Sequence, residues 1–233
     1  MLKFLRPNKM ATGTEEGGRT KFRLRVVYDH PDLDAQLLIA DMKNYFALVK
    51  RAVKEATPLF KTRCINVGGK SVPQGRQTCF MGGPGVSGFQ YSGQFTEADP
   101  MSPATSALLA LVNGELGTEF NGALLNSYPS VGERKSQIGF HSDAETGLGK
   151  GSTVVSISFG GARTFRLKDK KTRKTLFSLK TGPCELMVMK GHDFQPKLLH
   201  GIPPQAKCDH RWSITFRKHT VQPDEGELKK EGN

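Results

Sequence analysis

The spacing of hydrophobic residues changes near residue 120 of the chain. Before that point apolar residues recur every three or four positions, which is typical of amphipathic helices. After it, apolar and polar residues alternate through several short runs, as they do in half-buried β-strands. The pattern therefore predicts helices in the first half and a β-rich second half.

Two helices are predicted in the first half. The segment 32–57, "DLDAQLLIADMKNYFALVKRAVKEAT", has apolar residues at helical spacing. They are Leu37, Leu38, Met42, Phe46, Leu48, Val49 and Val53. A second helix begins at Ser102 and Pro103, a capping residue followed by a proline. The Gly-rich segment 66–95 between them predicts loops and short strands.

The second half contains five short alternating runs: "STVVSISF", "RTFRLKD", "KTLFSLK", "CELMVMK" and "RWSITFRKHT". The charged turn "DKKTRK" separates two of them as a hairpin would. Closely spaced strands after two helices predict an α+β fold, a β-sandwich or jelly roll backed by N-terminal helices. We expect one folded domain over 21–220, with flexible polar tails at 1–20 and 221–233.

Charge and cysteine usage narrow the class of protein. The formal net charge of +12 favours a polyanionic partner, nucleic acid above all. The four cysteines show no C-x-x-C spacing, so neither a disulfide framework nor a zinc knuckle is expected. Since no apolar run approaches the roughly 18 residues of a membrane span, we expect no membrane partner and a cytoplasmic or nuclear location.

The stretch "IGFHSDAETG" places His141 two residues before Asp143, ahead of a β-run. Residues two apart on an extended chain point to one face, so both could bind one cation. His200, in "LLHGIPP", is a candidate third ligand. Two imidazoles and one carboxylate form the usual triad of non-haem Fe(II). The alternatives are a polar loop at 141–143 and a loop histidine that contacts backbone at 200.

The final strand carries a second signal. Alternation places Arg211, Ser213, Thr215 and Arg217 on the face opposite to the apolar residues. Six residues of strand span about 20 Å, so two long arginines leaning together could grip both ends of a small dicarboxylate such as 2-oxoglutarate. The alternative is a solvated outer face on an edge strand.

Several linked motifs resemble the AlkB family of Fe(II)/2-oxoglutarate dioxygenases, in particular its nucleic-acid demethylase branch. They are "FNGALLNSYPSVGERKSQIGFHSDAE", "VVSISFGGARTFRLKD", "GPCELMVMKGHDFQPKLLHGIPP" and "RWSITFRK". The segments "GRQTCFMG" and "GFQYSG" are similar to the nucleotide-recognition lid of that family. The resemblance covers about 70–218. It implies a double-stranded β-helix (jelly roll) over 120–218 and a lid over 70–100.

The resemblance also implies roles for individual residues. His141, Asp143 and His200 would bind Fe(II), leaving positions for 2-oxoglutarate and O2. Arg211 and Arg217 would hold the two ends of 2-oxoglutarate. The implied hydrogen-bonding groups around that cofactor are Asn126, Tyr128, Ser213 and Thr215. Ser213 stands where this branch usually has asparagine, and the shorter side chain would weaken or move one hydrogen bond.

The implied contacts with substrate involve five residues. They are Arg76, Phe89, Tyr91, Glu145 and Arg163. The aromatic pair would offer a face to a flipped base, Glu145 would contact its exocyclic amine, and the two arginines, with the basic hairpin "RLKDKKTRK", would contact phosphates. The alternatives are core packing for the aromatic residues, a solvent-facing acid at 145 and an ordinary solvated hairpin.

The function implied is oxidative N-demethylation of 1-methyladenine or 3-methylcytosine in alkylated DNA or RNA, releasing formaldehyde, succinate and CO2. Gly68 and Gly69 occupy the loop where duplex-repairing members carry an apolar wedge, which favours a single-stranded substrate. We expect a monomer. Two alternatives stay open: an Fe(II)/2-oxoglutarate hydroxylase of a protein or lipid substrate, and a non-catalytic basic module that binds nucleic acid.

Overall fold

The structure is a computed structural model that describes residues 22–91, 94–130, 136–143, 148, 153–205 and 207–220. At 66, 67, 90, 91 and 94 it describes the backbone alone. The helices are α1 (Phe46–Ala56), α2 (Pro103–Leu116) and α3 (Phe194–Lys197), with short 3-10 turns at Lys43–Tyr45 and Thr57–Leu59. The strands are β1 (Arg25–Asp29), β2 (Gln36–Asp41), β3 (Lys61–Val67), β4 (Lys70–Gly82), β5 (Gly88–Tyr91), β6 (Gln94–Glu97), β7 (Asp99–Pro100), β8 (Gly122–Tyr128), β9 (Ile138–His141), β10 (Val154–Gly160), β11 (Arg163–Asp169), β12 (Thr175–Thr181), β13 (Glu185–Lys190), β14 (Leu198–Ile202) and β15 (Arg211–Arg217).

Two sheets form the body of the fold. Within the described residues the major sheet has the order β1-β2-β13-β10-β15-β8-β4-β3, with β7 added beside β4. The minor sheet has the order β12-β11-β14-β9, and β5 pairs with β6 as a separate hairpin. From β8 onward consecutive strands mostly pass from one sheet to the other, so neighbours within each sheet are distant in sequence, which is the arrangement of a jelly roll. The predicted fold class is confirmed.

Helices α1 and α2 pack against one face of the major sheet. Val49, Ala52, Val53 and Ala56 recur along one side of α1 and are buried there. At the start of α2 the Ser102 hydroxyl accepts a hydrogen bond from the Thr105 amide, as predicted for this cap. The prediction of N-terminal helices behind the sheet is therefore correct for these two elements.

The second core lies between the two sheets. Val154, Met187 and Met189 of the major sheet contact Phe165 and Leu167 of the minor sheet across it. Polar residues occupy the same interior at one side, where the inward faces of β8 and β15 meet. The space between the sheets is thus partly a hydrophobic core and partly the wall of a polar cavity.

The predicted helix over 32–57 is wrong in its first half. Residues Gln36–Asp41 form β2, and only Phe46–Ala56 is α-helical beyond the intervening turn. Leu38 and Ala40 pack toward the helices, while Leu37 and Ile39 pack into the core between the sheets. Because β2 is buried on both faces, its apolar residues form a continuous run, which spacing alone cannot distinguish from a helix.

The expectation of loops and short strands over 66–95 is also only partly correct. β4 is thirteen residues long, and its second half pairs with β8 inside the major sheet. Its first half forms a hairpin with β3, whose turn holds Gly68 and Gly69 at positive φ. Among the described helices none has the length and apolar composition of a membrane span.

Candidate metal and cofactor site

Strand pairing brings the two predicted histidine ligands together. His141 ends β9 and lies directly opposite His200 of β14 in the antiparallel register. Candidate ligand atoms of His141, His200 and Asp143 all lie within 4.8 Å of one another. The predicted His-x-Asp and distant histidine therefore converge on one point in space, with His141 at the end of β9 and Asp143 in the loop that follows it.

Asp143 is the most deeply held of the three. Its Oδ1 accepts a hydrogen bond of 2.6 Å from Arg217 Nη2, and its Oδ2 lies 3.6 Å from His200 Nε2. Burial alone would raise the pKa of Asp143, but the charge of Arg217 lowers the pKa below its ordinary value. The carboxylate is therefore ionised at neutral pH and ready to bind a cation.

The two imidazoles are neutral at the same pH. Burial, assisted by the neighbouring His141, lowers the pKa of His200 to about 3. Burial also lowers the pKa of His141. The Gly139 carbonyl lies 2.9 Å from His141 Nδ1 and accepts a hydrogen bond from it, which leaves the Nε2 lone pair for a metal. Neutral imidazoles with free lone pairs are the form that binds metal ions.

A cavity of about 60 Å³ extends from the triad into the interior between the sheets. All six residues predicted to bind 2-oxoglutarate line it: Asn126, Tyr128, Arg211, Ser213, Thr215 and Arg217. The antiparallel register explains the grouping, because Arg211 lies opposite Tyr128 and Ser213 lies opposite Asn126. The alternative of a solvated outer face for the arginines is wrong, since Arg211 is 2% and Arg217 5% exposed.

Arg211 is a buried cation in this cavity with unused donors. Its Nη2 donates to Ser158 Oγ at 2.8 Å, and its guanidinium carbon lies 5.1 Å from the centre of the Tyr128 ring. Nε and Nη1 are buried and have no hydrogen-bond acceptor among the described residues. Burial lowers the pKa of Arg211, yet an arginine stays protonated. The free donors match the carboxylate of a small diacid.

A short hydrogen-bonded chain lines the cavity near the triad. Arg76 Nε donates to Asn126 Oδ1 at 2.7 Å, and Asn126 Nδ2 donates to Ser213 Oγ at 3.3 Å. The serine at 213 therefore still accepts a hydrogen bond from Asn126. Arg76, predicted as a phosphate contact, is only 6% exposed. Its side chain belongs to this hydrogen-bond network and does not lie on the outer surface.

Two other predicted substrate residues, Phe89 and Arg163, do not line the cavity. Phe89 packs against Phe80, with ring centres 4.5 Å apart, in a separate apolar cluster. Arg163 is fully buried, and its guanidinium donates to the carbonyls of Pro129 and Ala162. These positions agree with the packing alternative for Phe89 and keep Arg163 away from solvent. The Tyr91 side chain and Glu145 lie outside the described residues.

Two residues near the triad had no signal in the sequence motifs. Gln195 of α3 accepts a hydrogen bond from the Asp143 amide. His219 is buried against Phe80, and burial followed by the charge of Arg217 lowers its pKa to about 4. Neither Gln195 nor His219 belongs to a recognisable spacing pattern. Their location near the triad is visible only in the folded structure.

The donor set fits Fe(II) and a small dicarboxylate. Two neutral imidazoles and one carboxylate on a common point are typical of non-haem Fe(II) sites. Asp143 Oδ2 is buried without a hydrogen-bond partner in the described part of the chain, as is expected of an oxygen that binds a metal ion. The free donors of Arg211 and the free Nε of Arg217 open onto the same cavity as the triad.

Comparisons with known proteins agree with this geometry. The family model described as "2OG-Fe(II) oxygenase superfamily" matches residues 42–217. The DNA oxidative demethylase ALKBH2 of Arabidopsis thaliana is 30% identical over 179 residues, 66% of this chain and 56% of that protein. The rat alpha-ketoglutarate-dependent dioxygenase alkB homolog 3 is 29% identical over 162 residues, 65% of this chain and 52% of that protein.

A solved structure shows the same fold. The structure of OsALKBH1 superposes with a TM-score of 0.58 at 16% identity, covering 83% of this chain and all of the other. The chain spans little more than half the length of the two curated relatives above. Together the comparisons confirm the resemblance to AlkB oxygenases and the prediction of Fe(II) and 2-oxoglutarate as cofactors.

Proposed function

Since the chain belongs to the 2OG-Fe(II) oxygenase superfamily, we propose that it removes N-linked methyl groups from alkylated bases of nucleic acid. The proposed substrates are 1-methyladenine and 3-methylcytosine in single-stranded DNA or RNA. The products are the restored base, formaldehyde, succinate and CO2. The observation that carries the proposal is the single cavity that contains both the His-Asp-His triad and two buried arginines.

His141, Asp143 and His200 hold Fe(II) in this proposal. The ion supplies the oxidising chemistry, with 2-oxoglutarate and O2 as co-substrates, that hydroxylates the methyl carbon. The protein contributes two imidazoles that are neutral and one carboxylate that is ionised at neutral pH. Arg217 keeps that carboxylate oriented through its 2.6 Å hydrogen bond.

In this proposal the cavity binds 2-oxoglutarate through its arginines, its polar wall residues and its burial from water. Arg211 receives the distal carboxylate on Nε and Nη1, which are otherwise unpartnered in the described residues. Arg217 Nε is available to the other end of the cofactor beside the triad. Asn126, Tyr128 and Thr215 complete the wall with polar groups. Burial of this wall excludes water from the reacting end.

The outer face of the minor sheet supports a nucleic-acid substrate. Arg166, Lys168 and Lys180 lie on strand positions that point away from the core between the sheets. Lys168 Nζ lies 4.1 Å from the centre of the Phe140 ring, and Phe140 precedes the metal ligand His141. This face, continued by the lysines of the β11–β12 turn, is proposed to contact phosphates.

Further parts of the proposal concern the base and the setting. Tyr91 and Glu145 are proposed as the contacts of the flipped base. The glycine turn between β3 and β4 supports a single-stranded substrate, because it offers no bulky wedge at 68 and 69. The relatives named as DNA oxidative demethylases support the reaction class. We further propose one domain over 21–220 acting as a monomer, in the cytoplasm or nucleus.

The test is a panel of single-stranded DNA and RNA oligonucleotides that carry 1-methyladenine or 3-methylcytosine. Mass spectrometry of the products and a formaldehyde assay should show demethylation that requires Fe(II) and 2-oxoglutarate. The His141→Ala variant should be inactive, whereas His192→Ala, which alters an exposed histidine outside the triad, should retain activity. Turnover of peptides with none of any oligonucleotide would reject the nucleic-acid substrate. Equal activity of His141→Ala and wild type would reject the metal site.

A further inference from the structure

The three candidate ligands are held in different ways. His141 and His200 belong to paired strands, so backbone hydrogen bonds fix their separation. Asp143 lies beyond the end of β9, where the strand pairing has stopped. Its amide therefore needs another acceptor, because a buried backbone N–H without a partner destabilises the local structure.

Gln195 supplies that acceptor. Its side-chain Oε1 accepts a hydrogen bond of 2.8 Å from the Asp143 amide, and the residue is 2% exposed. Since a backbone N–H can only donate, the contact also fixes which end of the glutamine amide faces Asp143. Nε2 is buried on the other side and has no acceptor among the residues described.

Gln195 lies shortly before His200 in the chain, so its contact with Asp143 connects two of the three ligands. The residue belongs to α3, which leads directly into β14 and so to His200. The hydrogen bond therefore links the loop that carries Asp143 to the short helix that precedes the strand of His200. Arg217 orients the carboxylate of Asp143, whereas Gln195 holds its backbone.

We propose that Gln195 is a positioning residue of the metal site, which sets the place of Asp143 relative to His200. This inference rests on the iron site of the proposed function. Groups that orient metal ligands typically change metal affinity by about 10- to 100-fold when they are removed. A purely structural role predicts something else, namely lower stability with unchanged metal affinity in the folded protein.

The experiment compares Gln195→Met with Lys197→Met in the metal-free protein. Methionine keeps the length of the glutamine but cannot accept the hydrogen bond well, and Lys197 is an exposed residue on the same short helix. Titration calorimetry with Mn(II) should give a Kd about 10- to 100-fold weaker for Gln195→Met and unchanged for Lys197→Met. The visible absorption of bound Co(II), which reports ligand geometry, should change only in Gln195→Met. Wild-type Mn(II) affinity in folded Gln195→Met would overturn the inference.

A second measurement does not depend on the folding of a variant. Hydrogen exchange of the Asp143 amide in the metal-free wild-type protein should be slow, and exchange at the rate of an unprotected amide would also overturn the inference. His141→Ala separates the two proposals. If wild-type protein binds Mn(II) no better than His141→Ala, the metal site itself fails. If binding depends on His141 but not on Gln195, only the role of Gln195 fails.

Discussion

Replacing Arg211 with methionine should separate cofactor binding from stability. The arginine is buried at the cavity wall, where two of its donors have no acceptor in the described part of the protein. In the cofactor-free protein the substitution removes one hydrogen bond to Ser158 and the contact with the Tyr128 ring, together about 2 kcal/mol. It also removes two unsatisfied buried donors, which cost about 1–3 kcal/mol each. We therefore expect unchanged or slightly higher stability without cofactor.

Binding of 2-oxoglutarate should respond in the opposite direction. Loss of one partner from a buried, hydrogen-bonded charge pair costs about 2–5 kcal/mol, which weakens binding roughly 30-fold to several thousand-fold. Calorimetry with Mn(II) present measures the Kd, and thermal melting with and without 2-oxoglutarate measures the stabilisation. Arg51→Met, which removes an exposed arginine paired with Glu55, is the matched control. The reasoning fails if Arg211→Met binds 2-oxoglutarate as wild type does, or if it melts far lower without cofactor.

Two further predictions concern stability. The pKa of His219 is lowered by burial to about 4, below the unfolded value of about 6.5, so the unfolded state binds more protons and stability falls as pH drops through this window. In urea unfolding with a chelator present, His219 should lower the free energy of unfolding by about 2 kcal/mol between about pH 7 and about pH 5. A His219→Phe variant whose unfolding free energy depends on pH as that of wild type does would contradict this prediction. A Cβ at Gly122 would lie 2.4 Å from the His219 ring, so Gly122→Ala should lower the free energy of unfolding by about 1–3 kcal/mol. Gly139→Ala, with open space at its Cβ, is the control and should change it little.

Alternation along β15 is enough to group the side chains that the sequence motifs assign to the cofactor. On β15 every second residue from Arg211 to Arg217 faces the cavity, as a strand of period two requires. Spacing does not show that His141 and His200 pair, since they lie 59 positions apart with several strands between them. The sequence offered His200 only as a candidate third ligand, and the resemblance implied the triad; the register of β9 and β14 places the two histidines opposite each other.

Other placements depend on tertiary contacts that residue spacing does not encode. β2 is covered by helices on one side and by the minor sheet on the other, so its run of apolar residues carries no period. Arg76 lies on the long strand β4, which was not expected, and is buried beside Asn126 of β8. Phe89 lies on β5 and packs against Phe80 of β4. Gln195 acts through a backbone amide, and such a contact depends on tertiary placement that residue type does not encode.

The pairing of β9 with β14 has a consequence for the integrity of the minor sheet. β9 is four residues long and lies at the open border of that sheet within the described chain, so few backbone hydrogen bonds secure it. A shift of the β9 register by one residue would turn the His141 imidazole to the other face of the sheet, so the three ligands would no longer converge. A metal ion bound by ligands on both strands would therefore stabilise the correct register of β9 against β14. Loss of the ion would loosen the border of the sheet as well as end the chemistry.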